Sequence, residues 1–230
     1  MANKESDKKV NHLGIILDGN RRFATSRGLP PWKGHEYGAE VVSKLPDWCK
    51  ELGIRELTLY SLSIENLKRD KKEVDFLFKL FKKYFKKFKE DKRVHENKIR
   101  LRFIGDLSLV PEDIRKLAGE IENDTKDYNN YIVNFCFAYG GRQELLSAIN
   151  RLKNKKGEVT EDDVKNALWL SSEPDLIIRT GNIIRTSNFL PWQSTYSEWL
   201  FLEKTWPEFT KQDLADALEE FQNRKRNFGK

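Results

Sequence analysis

The chain is poor in the residues and runs that would place it outside the cell or across a membrane. Only two of its 230 residues are cysteines. Cys49 and Cys136 lie far apart and in no CxxC pattern, which argues against a disulfide framework or a structural zinc site and favours a reducing cytosol. No apolar run approaches the roughly 20 residues of a membrane-spanning helix, and residues 1–9 are too polar for a signal peptide. Any membrane role is therefore expected to be peripheral.

Several common catalytic signatures are also missing. The sequence has no GxxxxGK[ST] phosphate loop, no GxGxxG dinucleotide fingerprint, no HExxH zinc motif and no GxSxG nucleophile elbow. Histidine is scarce, with three in the chain. His35 lies in a glycine-containing loop and is a candidate acid or base, whereas His12 and His95 have no motif around them and are interpreted as structural or surface residues.

The composition does provide for one core and an excess of positive charge. With 38% hydrophobic content, 230 residues fit one large domain better than two small ones. We expect a flexible segment at 1–10 and a single domain over 11–230. The net charge of +6 suits anionic small molecules, acidic lipid surfaces or nucleic acid, without choosing among them.

Near the beginning of the chain, a predicted buried strand leads into an anion-binding turn. Apolar residues 13–17 have strand length, an Asp-Gly-Asn turn follows, and a helix is predicted over 21–27. Backbone N–H groups at such a helix start favour a phosphate, and Arg21 and Arg22 add positive charge. Asp18 among these donors indicates Mg²⁺, which proteins hold with one or two carboxylates plus phosphate oxygens. The alternative is an Asx turn and a helix cap beside two solvated arginines.

Strands and helices alternate along the rest of the chain. This alternation predicts βαβ units, and therefore an α/β fold with a mostly parallel sheet flanked by helices. The run 131–138 is almost wholly apolar, as expected for a central strand covered on both faces. We predict six strands, at about 13–17, 56–60, 101–104, 131–138, 176–178 and 200–202, and helices at about 21–27, 36–52, 71–92, from 111, 143–153, after 160 and after 210.

The helix predicted over 71–92 is strongly amphipathic. We favour core packing for its apolar stripe, with a solvated lysine face. A second interpretation makes the phenylalanines one wall of an apolar channel and brings the lysines near anionic lipid head groups. The stripe consists of Val74, Leu77, Phe78, Phe81, Phe85 and Phe88, and the lysines between are Lys79, Lys82, Lys83, Lys86 and Lys87.

Polar and cationic residues gather after the predicted strands. Ligands of open α/β sheets bind beyond the carboxyl ends of the strands. Arg179, Arg185 and Ser187 lie in a glycine-containing loop after the fifth strand, where two guanidinium groups and a hydroxyl suit a diphosphate. Each arginine taken alone would be an ordinary surface residue, but Arg22 and Arg69 are expected at the same sheet edge.

Several of these segments, taken in order, resemble the cis-prenyltransferases, the undecaprenyl and dehydrodolichyl diphosphate synthases. The resemblance covers almost the whole chain, from His12 to the tail at 226–229. The aspartate-rich DDxxD motifs of the trans-type synthases are absent. The segments that carry the resemblance are DGNRRFA at 18–24, Gly34-His35, SIENLKR at 63–69, YGGR at 139–142, RTG at 179–181 and RTSNFLPWQ at 185–193.

The resemblance implies a fold, a reaction and partners. It implies a homodimer in which each subunit has a parallel sheet and an apolar tunnel beside the long amphipathic helix. The implied reaction adds isopentenyl diphosphate repeatedly to an allylic diphosphate, such as farnesyl or geranylgeranyl diphosphate, and makes a polyprenyl diphosphate that is a lipid-carrier precursor. The implied cofactor is Mg²⁺. We expect a cytoplasmic enzyme with peripheral contact to membrane lipid and no nucleic-acid partner.

The resemblance also implies roles for the metal-binding and catalytic residues. Asp18 would hold Mg²⁺ and assist the departure of the allylic diphosphate, and Glu198 would reach the same metal. Asn20 and Ser63 would help to remove the proton from the isopentenyl unit. The tail at 226–229 would extend to the partner subunit's site.

Substrate-binding roles follow from the same resemblance and fall into three groups. The first group cradles the allylic diphosphate, the second closes the site, and the third binds isopentenyl diphosphate. An apolar pocket for the allylic carbons is expected beside them. The first group is Gly19, Asn20, Arg21, Arg22 and His35, the second Ser63, Glu65, Asn66 and Arg69, the third Arg179, Arg185 and Ser187, and the pocket residues are Phe23 and Leu67.

Other functions remain open at this point. The chain could transfer a prenyl group to an atypical acceptor or stop after few additions, or it could be a non-catalytic partner subunit of a prenyltransferase. The residue set that binds diphosphates separates these hypotheses, because a degenerate subunit would lose several of its members and this chain keeps Asp18, Arg22, Arg179, Arg185 and Ser187. Nucleic-acid binding through the lysine helix ranks last, because those lysines share their helix with a core-like stripe.

Overall fold

Six parallel strands form the central sheet of the protein, in a computed structural model that describes residues 9–224. The strands are β1 His12–Ile16, β2 Glu56–Ser63, β3 Ile99–Ile104, β4 Tyr131–Tyr139, β5 Leu176–Arg179 and β6 Glu198–Phe201. Their order across the sheet is β3-β4-β2-β1-β5-β6, and each neighbouring pair is parallel. The predicted α/β class and strand count are confirmed, and the strand boundaries shift by at most three residues.

Helices cover both faces of this sheet. Within the described residues they are α1 Asn20–Thr25, α2 Gly34–Val42, α3 Leu45–Leu52, α4 Lys71–Glu90, α5 Lys92–Glu96, α6 Glu112–Thr125, α7 Gly141–Leu152, α8 Glu161–Ala167 and α9 Lys211–Asn223. Short 3₁₀ turns lie at Pro31–Lys33, Glu65–Lys68, Leu107–Leu109 and Trp206–Glu208. The helices of the βαβ units bury the parallel strands, as the apolar run of β4 predicted.

Two predicted helices are each divided in two. The helix expected over 36–52 breaks between α2 and α3. Pro46 lies in the first turn of α3, where backbone N–H groups have no partner within the helix, so its missing N–H costs no hydrogen bond. The helix expected over 71–92 ends at Glu90. Asp91 has extended backbone, and its carboxylate accepts the N–H of Arg93 at 2.9 Å, so Asp91 starts α5 instead of continuing α4.

The strand order reverses at β1. β2 pairs with one edge of β1, and β5, which comes later in the chain, pairs with the other edge. Such a switch point leaves a crevice at the carboxyl ends of the strands. Asp18 follows β1 at this crevice, and Thr180 follows β5 beside it.

The two faces of the sheet differ in chemistry. One face carries Leu13, Leu57 and Phe135, which belong to the main apolar core. The opposite face carries a buried polar network at the amino ends of the strands. There His12 Nε2 lies 2.7 Å from Thr58 Oγ1, and Asn134 donates to the same Thr58 oxygen at 2.9 Å.

No helix in the described part of the chain is both long and apolar enough to cross a membrane. Residues 1–8, within the segment expected to be flexible, and the tail at 226–229 lie outside the described residues.

Candidate active site

Asp18 lies at the carboxyl end of β1 and forms the centre of a small charge cluster. Its carboxylate accepts the N–H of Gly19 at 2.6 Å. It forms ion pairs with Arg179 at 2.7 Å and with Arg22 at 3.5 Å. The two arginines come from the end of β5 and from α1, so Asp18 joins the ends of two neighbouring strands.

Two hydrogen bonds hold the backbone of this turn in place. The carbonyl oxygen of Asp18 accepts hydrogen bonds from the Thr180 hydroxyl at 2.7 Å and from the Trp206 N–H at 2.9 Å. Gly19 has φ of +103°, a conformation that L side chains rarely adopt. A Cβ at Gly19 would lie 2.7 Å from Thr205 Cβ, so glycine is required by both conformation and space.

Arg179 is buried, with 3% of its surface exposed. Its guanidinium donates to Ser187 Oγ at 2.7 Å and to the carbonyl oxygen of Arg185. The Tyr60 hydroxyl donates to the Ser187 carbonyl at 3.2 Å and fixes this loop from the other side. Arg179, Arg185 and Ser187, predicted as one group, are therefore brought together.

The segment after β2 closes over the crevice. Ser63 and Asn66 bond reciprocally, since the Ser63 N–H donates to Asn66 Oδ1 at 3.1 Å and the Asn66 N–H donates to Ser63 Oγ at 3.2 Å. Glu65 accepts a hydrogen bond from Asn188 Nδ2 at 3.3 Å. These bonds tie the loop after β2 to the loop after β5.

Asn20 opens α1 and is 8% exposed. Its Nδ2 donates to the Leu17 carbonyl at 2.7 Å, while its Oδ1 is buried without a hydrogen-bond partner in the described structure. Two glycines let α2 approach this residue closely, because a Cβ at Gly34 would lie 1.8 Å from the Asn20 carbonyl oxygen and one at Gly38 would lie 2.2 Å from Oδ1. The Gly34-His35 motif thus places His35 beside the turn.

A buried carboxylate that sequence reasoning missed lies beside three predicted site residues. Glu73, in the first turn of α4, lies 2.9 Å from Arg69 Nη1, 3.8 Å from Arg21 Nε and 3.9 Å from His35 Nε2. The neighbouring His35 lowers the pKa of Glu73 to about 2, helped by the positive charges of Arg69 and Arg21 and opposed by burial. The one available signal was the i, i+4 spacing from Arg69, which ordinarily marks a surface ion pair.

One cavity of about 900 Å³ joins these groups to an apolar interior. Its mouth holds most of the predicted site residues, and its depth lies between the sheet and helices α2 and α4. This geometry agrees with the channel interpretation of the α4 stripe. The mouth is lined by Asp18, Gly19, Asn20, Arg21, Arg22, His35, Ser63, Glu65, Asn66, Arg69, Arg179, Arg185 and Ser187, and the depth by Leu17, Ala39, Val42, Leu62, Leu77, Leu80, Phe81, Tyr84, Phe85, Phe88 and Phe135.

Two predicted pocket residues do not line this cavity. Phe23 lies in α1 but turns away, with its ring 5.2 Å from the Tyr37 ring and the Arg27 guanidinium 3.7 Å above it. Leu67 packs against the main apolar core from the 3₁₀ turn at 65–68. The apolar wall comes instead from α2, α4, β2 and β4.

Glu198 does not meet Asp18 within one chain. It begins β6, and the strand register aligns it with Leu176 and hence with Leu13, five residues before Asp18. At about 3.3 Å per residue, the two positions are separated by about 16 Å along the strands. Glu198 pairs with Arg224 at 2.9 Å. Within one chain this register does not bring the two carboxylates together, and the expectation that both reach one metal ion stays a prediction.

The mouth fits a magnesium ion that arrives with its substrate. No group of three or more histidine, cysteine or acidic side chains gathers for a metal within residues 9–224. Mg²⁺ in phosphate sites is held by one or two carboxylates plus substrate phosphates and waters. The Asp18 carboxylate, already surrounded by cations that attract a diphosphate, is such a partial donor set, whereas the site lacks the ligands of a permanently bound ion.

The arrangement suits the binding and departure of a diphosphate on an apolar chain. Arginine side chains and backbone N–H groups at the mouth stabilise charge on diphosphate oxygens, and the tunnel excludes water from the carbon chain. An α/β sheet with these features defines a transferase that acts on long apolar diphosphates. A family model described as "Putative undecaprenyl diphosphate synthase" matches residues 16–229. The chain belongs to this family, the cis-prenyltransferases.

Named relatives and solved structures agree with this membership. The chain is 44% identical to the tritrans,polycis-undecaprenyl-diphosphate synthase (geranylgeranyl-diphosphate specific) of Pyrococcus furiosus, over 95% of this chain and 86% of that protein. It is 44% identical to the enzyme of the same name from Thermoplasma acidophilum, over 96% and 90%. Lavandulyl diphosphate synthase from Lavandula x intermedia, crystallised with dimethylallyl diphosphate, superposes with a TM-score of 0.91 at 31% identity, covering 96% of this chain and 99% of that one. A probable undecaprenyl diphosphate synthase from Campylobacter jejuni gives 0.83 at 36% identity, covering 97% and 100%.

Proposed function

We propose that this protein condenses isopentenyl diphosphate with geranylgeranyl diphosphate and extends the chain by repeated additions with Z geometry. The observation that carries the proposal is the single cavity of about 900 Å³ that joins a cationic mouth to an apolar tunnel. Relatives that share 42–44% of their residues with the chain are named as specific for geranylgeranyl diphosphate, which supports this starter over farnesyl diphosphate. The product is a polyprenyl diphosphate that serves as a lipid-carrier precursor.

The residues divide the reaction between two neighbouring diphosphate sites. Arg21, Arg22 and the N–H groups of the α1 start bind the allylic diphosphate, and His35 and Arg69 complete this first site. Charge that develops on the departing diphosphate is stabilised by these fixed donors. Arg179, Arg185 and Ser187 bind isopentenyl diphosphate beside it, which brings its double bond to the allylic carbon at the tunnel entrance.

Proton removal completes each addition. The buried Asn20 Oδ1 is an acceptor without a partner in the described structure, and the Ser63 hydroxyl lines the same cavity. These two groups would help to remove the proton that the isopentenyl unit loses by hydrogen bonding along its path, and an oxygen of the released diphosphate is the base that takes it. Asp18 is the protein ligand for Mg²⁺, which, when bound, neutralises the leaving diphosphate.

The direct test is to incubate purified protein with Mg²⁺, radiolabelled isopentenyl diphosphate and, separately, dimethylallyl, geranyl, farnesyl and geranylgeranyl diphosphates. We expect a ladder of extractable prenyl products that is strongest with geranylgeranyl diphosphate. Asp18→Ala should abolish the ladder of products. Asp106→Ala is the control and should still form it, because the Asp106 carboxylate follows β3 and lies outside the cavity. A single short product would favour the atypical or short-chain enzyme. Absence of product with every starter would favour the non-catalytic partner subunit.

We further propose a cytoplasmic homodimer. Leu146 and Ile149 lie one turn apart on α7 and are 57% and 61% exposed, which supports an interface on this helix. Cys49 and Cys136 are buried and unpaired with each other, and free thiols suit a reducing compartment.

We also propose that α4 makes the peripheral contact with membrane lipid. Five exposed lysines form a ridge along its outer face, behind the tunnel wall, and none of them has an ion-pair partner among residues 9–224. An anionic bilayer attracts such lysines by about 1 kcal/mol each, which would hold the tunnel beside the lipid that accepts its apolar product. The lysine ridge consists of Lys72, Lys79, Lys83, Lys86 and Lys87.

Vesicle sedimentation tests the lysine ridge. Wild-type protein should bind vesicles that contain phosphatidylglycerol, and binding should weaken at high salt and be absent with phosphatidylcholine alone. Replacing the four lysines at 79, 83, 86 and 87 by glutamine should weaken binding at least tenfold. The matched control replaces four exposed lysines elsewhere, at 116, 126, 153 and 156, and should bind like wild type. Equal loss in both variants would contradict a specific surface.

A further inference from the structure

Glu73 occupies a position that no metal, nucleophile or proton-transfer role explains. Its side chain is 7% exposed, although it is a carboxylate in the first turn of a surface helix. Two arginines and one histidine, from three separate elements, lie within 4 Å of its Oε1 atom: Arg69 after the 3₁₀ turn at 65–68, Arg21 in α1 and His35 in α2. All three residues line the mouth of the cavity, whereas Glu73 itself does not.

Without a shared anion these three groups would separate. The positive charges of Arg21 and Arg69 repel one another, and the Arg21 side chain is 52% exposed and is free to turn into solvent. A buried carboxylate in hydrogen-bond contact with Arg69 limits the rotamers of the cations and keeps their remaining donors toward the mouth. The Nε2 atom of His35 is buried, lies 3.9 Å from Glu73 and has no hydrogen-bond partner in the described structure.

We propose that Glu73 is a positioning residue for the allylic diphosphate, which holds Arg21, Arg69 and His35 in the geometry that the diphosphate requires. The inference rests on the proposed function, since it assigns these cations to the allylic site. The low pKa of Glu73, about 2, keeps the carboxylate ionised near neutral pH. Isopentenyl diphosphate binds on the β5 side and should be little affected.

Two physical roles for Glu73 predict opposite changes in diphosphate affinity when its charge is removed. If Glu73 only neutralised the cations, removing its charge would raise the positive potential at the mouth and tighten diphosphate binding. If Glu73 positions the cations, removing its charge lets them disperse and weakens binding. The sign of the change therefore decides between the two roles.

The experiment is a calorimetric titration of an unreactive allylic thiodiphosphate, with Mg²⁺, into wild type and Glu73→Gln. We expect an affinity loss of about tenfold or more, a similar rise in KM for the allylic diphosphate, and little change in KM for isopentenyl diphosphate. Glu73→Asp keeps the charge on a shorter side chain, and its affinity should lie between those of wild type and Glu73→Gln. Asp75→Asn is the matched control, because Asp75 lies on the same helix and pairs with Lys71 outside the cavity.

Tighter or unchanged binding by Glu73→Gln would overturn the positioning role. Arg69→Ala separates this failure from failure of the proposed function: if Arg69→Ala leaves the affinity unchanged, the allylic site itself is misplaced. If Glu73 positions Arg69, then Arg69→Ala should cost less in the Glu73→Gln background than in wild type. Should Glu73→Gln fail to fold, the same comparison is made with Glu73→Asp, for which an affinity equal to that of wild type would overturn the proposal.

Discussion

Replacing Gly19 by alanine should disturb the active site, although it adds only one methyl group. In Gly19→Ala the methyl group would meet Thr205 at 2.7 Å, and alanine would have to adopt φ of +103°. We expect a loss of about 2 kcal/mol in the free energy of unfolding. Displacement of the neighbouring Asp18 should also lower kcat/KM by roughly 100-fold. Thermal denaturation and steady-state kinetics measure the two effects.

Gly119→Ala is the control for this change. Gly119 lies inside α6, and beyond its chain neighbours and the nearby backbone of that helix no heavy atom lies within 4 Å of the Cβ that alanine would add. Alanine should therefore stabilise the helix by about 0.5–1 kcal/mol and leave the kinetics unchanged. Equal behaviour of the two variants would show that Gly19 has no special requirement.

His12 should make stability depend on pH. It is 2% exposed, and burial lowers its pKa below the ordinary value of 6.5, against the opposing influence of Glu56, Glu173 and Asp175 around it. The unfolded chain therefore takes up a proton, as pH falls below about 6.5, that the folded chain does not. The stabilising contribution is complete above this pH and is lost below it, by up to about 1.4 kcal/mol per pH unit.

Urea denaturation between pH 8 and pH 5 measures this dependence. His12→Gln removes the titrating group, so the part of the slope that begins at about pH 6.5 should disappear in this variant. A slope that persists unchanged would place its origin in other groups.

At the scale of elements, the end of the tunnel is a partition shared by α2, α4 and β4. A second, apolar cavity of about 10 Å³ lies behind it, and Val42, Phe88 and Phe135 line both cavities. Phe88→Ala should join the two spaces and lengthen the product by at least one isoprene unit. The substitution should cost about 3 kcal/mol of stability. Chromatography of the dephosphorylated products measures the length.

Phe78→Ala is the control on the same helix. Phe78 packs against the core but lines neither cavity. This variant should lose stability without a change in product length. If both variants lengthen the product, general loosening of α4 would explain the effect better than the partition.

The alternation of elements made the sheet predictable, but the breaks within helices were not. The apolar run at 131–138 has a clear length and turn boundaries, and β4 follows it closely. Asp91, by contrast, lies among lysines and glutamates that would suit a continuous helix, and its role as a cap depends on how α5 packs. Local preference alone does not determine such a break.

The candidate site was predictable where its residues follow strands and not where they depend on packing. Asp18 and Arg179 meet because β1 and β5 are neighbours with parallel direction. Glu73 was missed because its burial depends on α1 and α2 folding over the start of α4. The separation of Glu198 from Asp18 within one chain depends on the register of β6, which motif comparison does not reveal.

At the scale of the whole molecule, the proposed dimer predicts a concentration-dependent mass. Replacing Leu146 and Ile149 together by glutamate places two charges on the exposed α7 face and should convert the dimer to a monomer at micromolar concentration. Leu109→Glu is the control, because Leu109 is 46% exposed in the turn after β3, which is an edge strand of the sheet. Light scattering after gel filtration measures both masses, and a monomeric wild-type protein would contradict the interface.

The strand order also has a consequence for synthesis on the ribosome. Leu13 in β1 pairs with Leu176 in β5, which is made about 160 residues later. At roughly 5–20 residues per second, one edge of β1 waits about 10–30 seconds for its neighbour. The Asp18 to Arg179 ion pair therefore forms only when most of the chain has been translated. A nascent chain halted before β5 should display the unpaired edge of an apolar strand, which makes it a ligand for chaperones that bind extended segments.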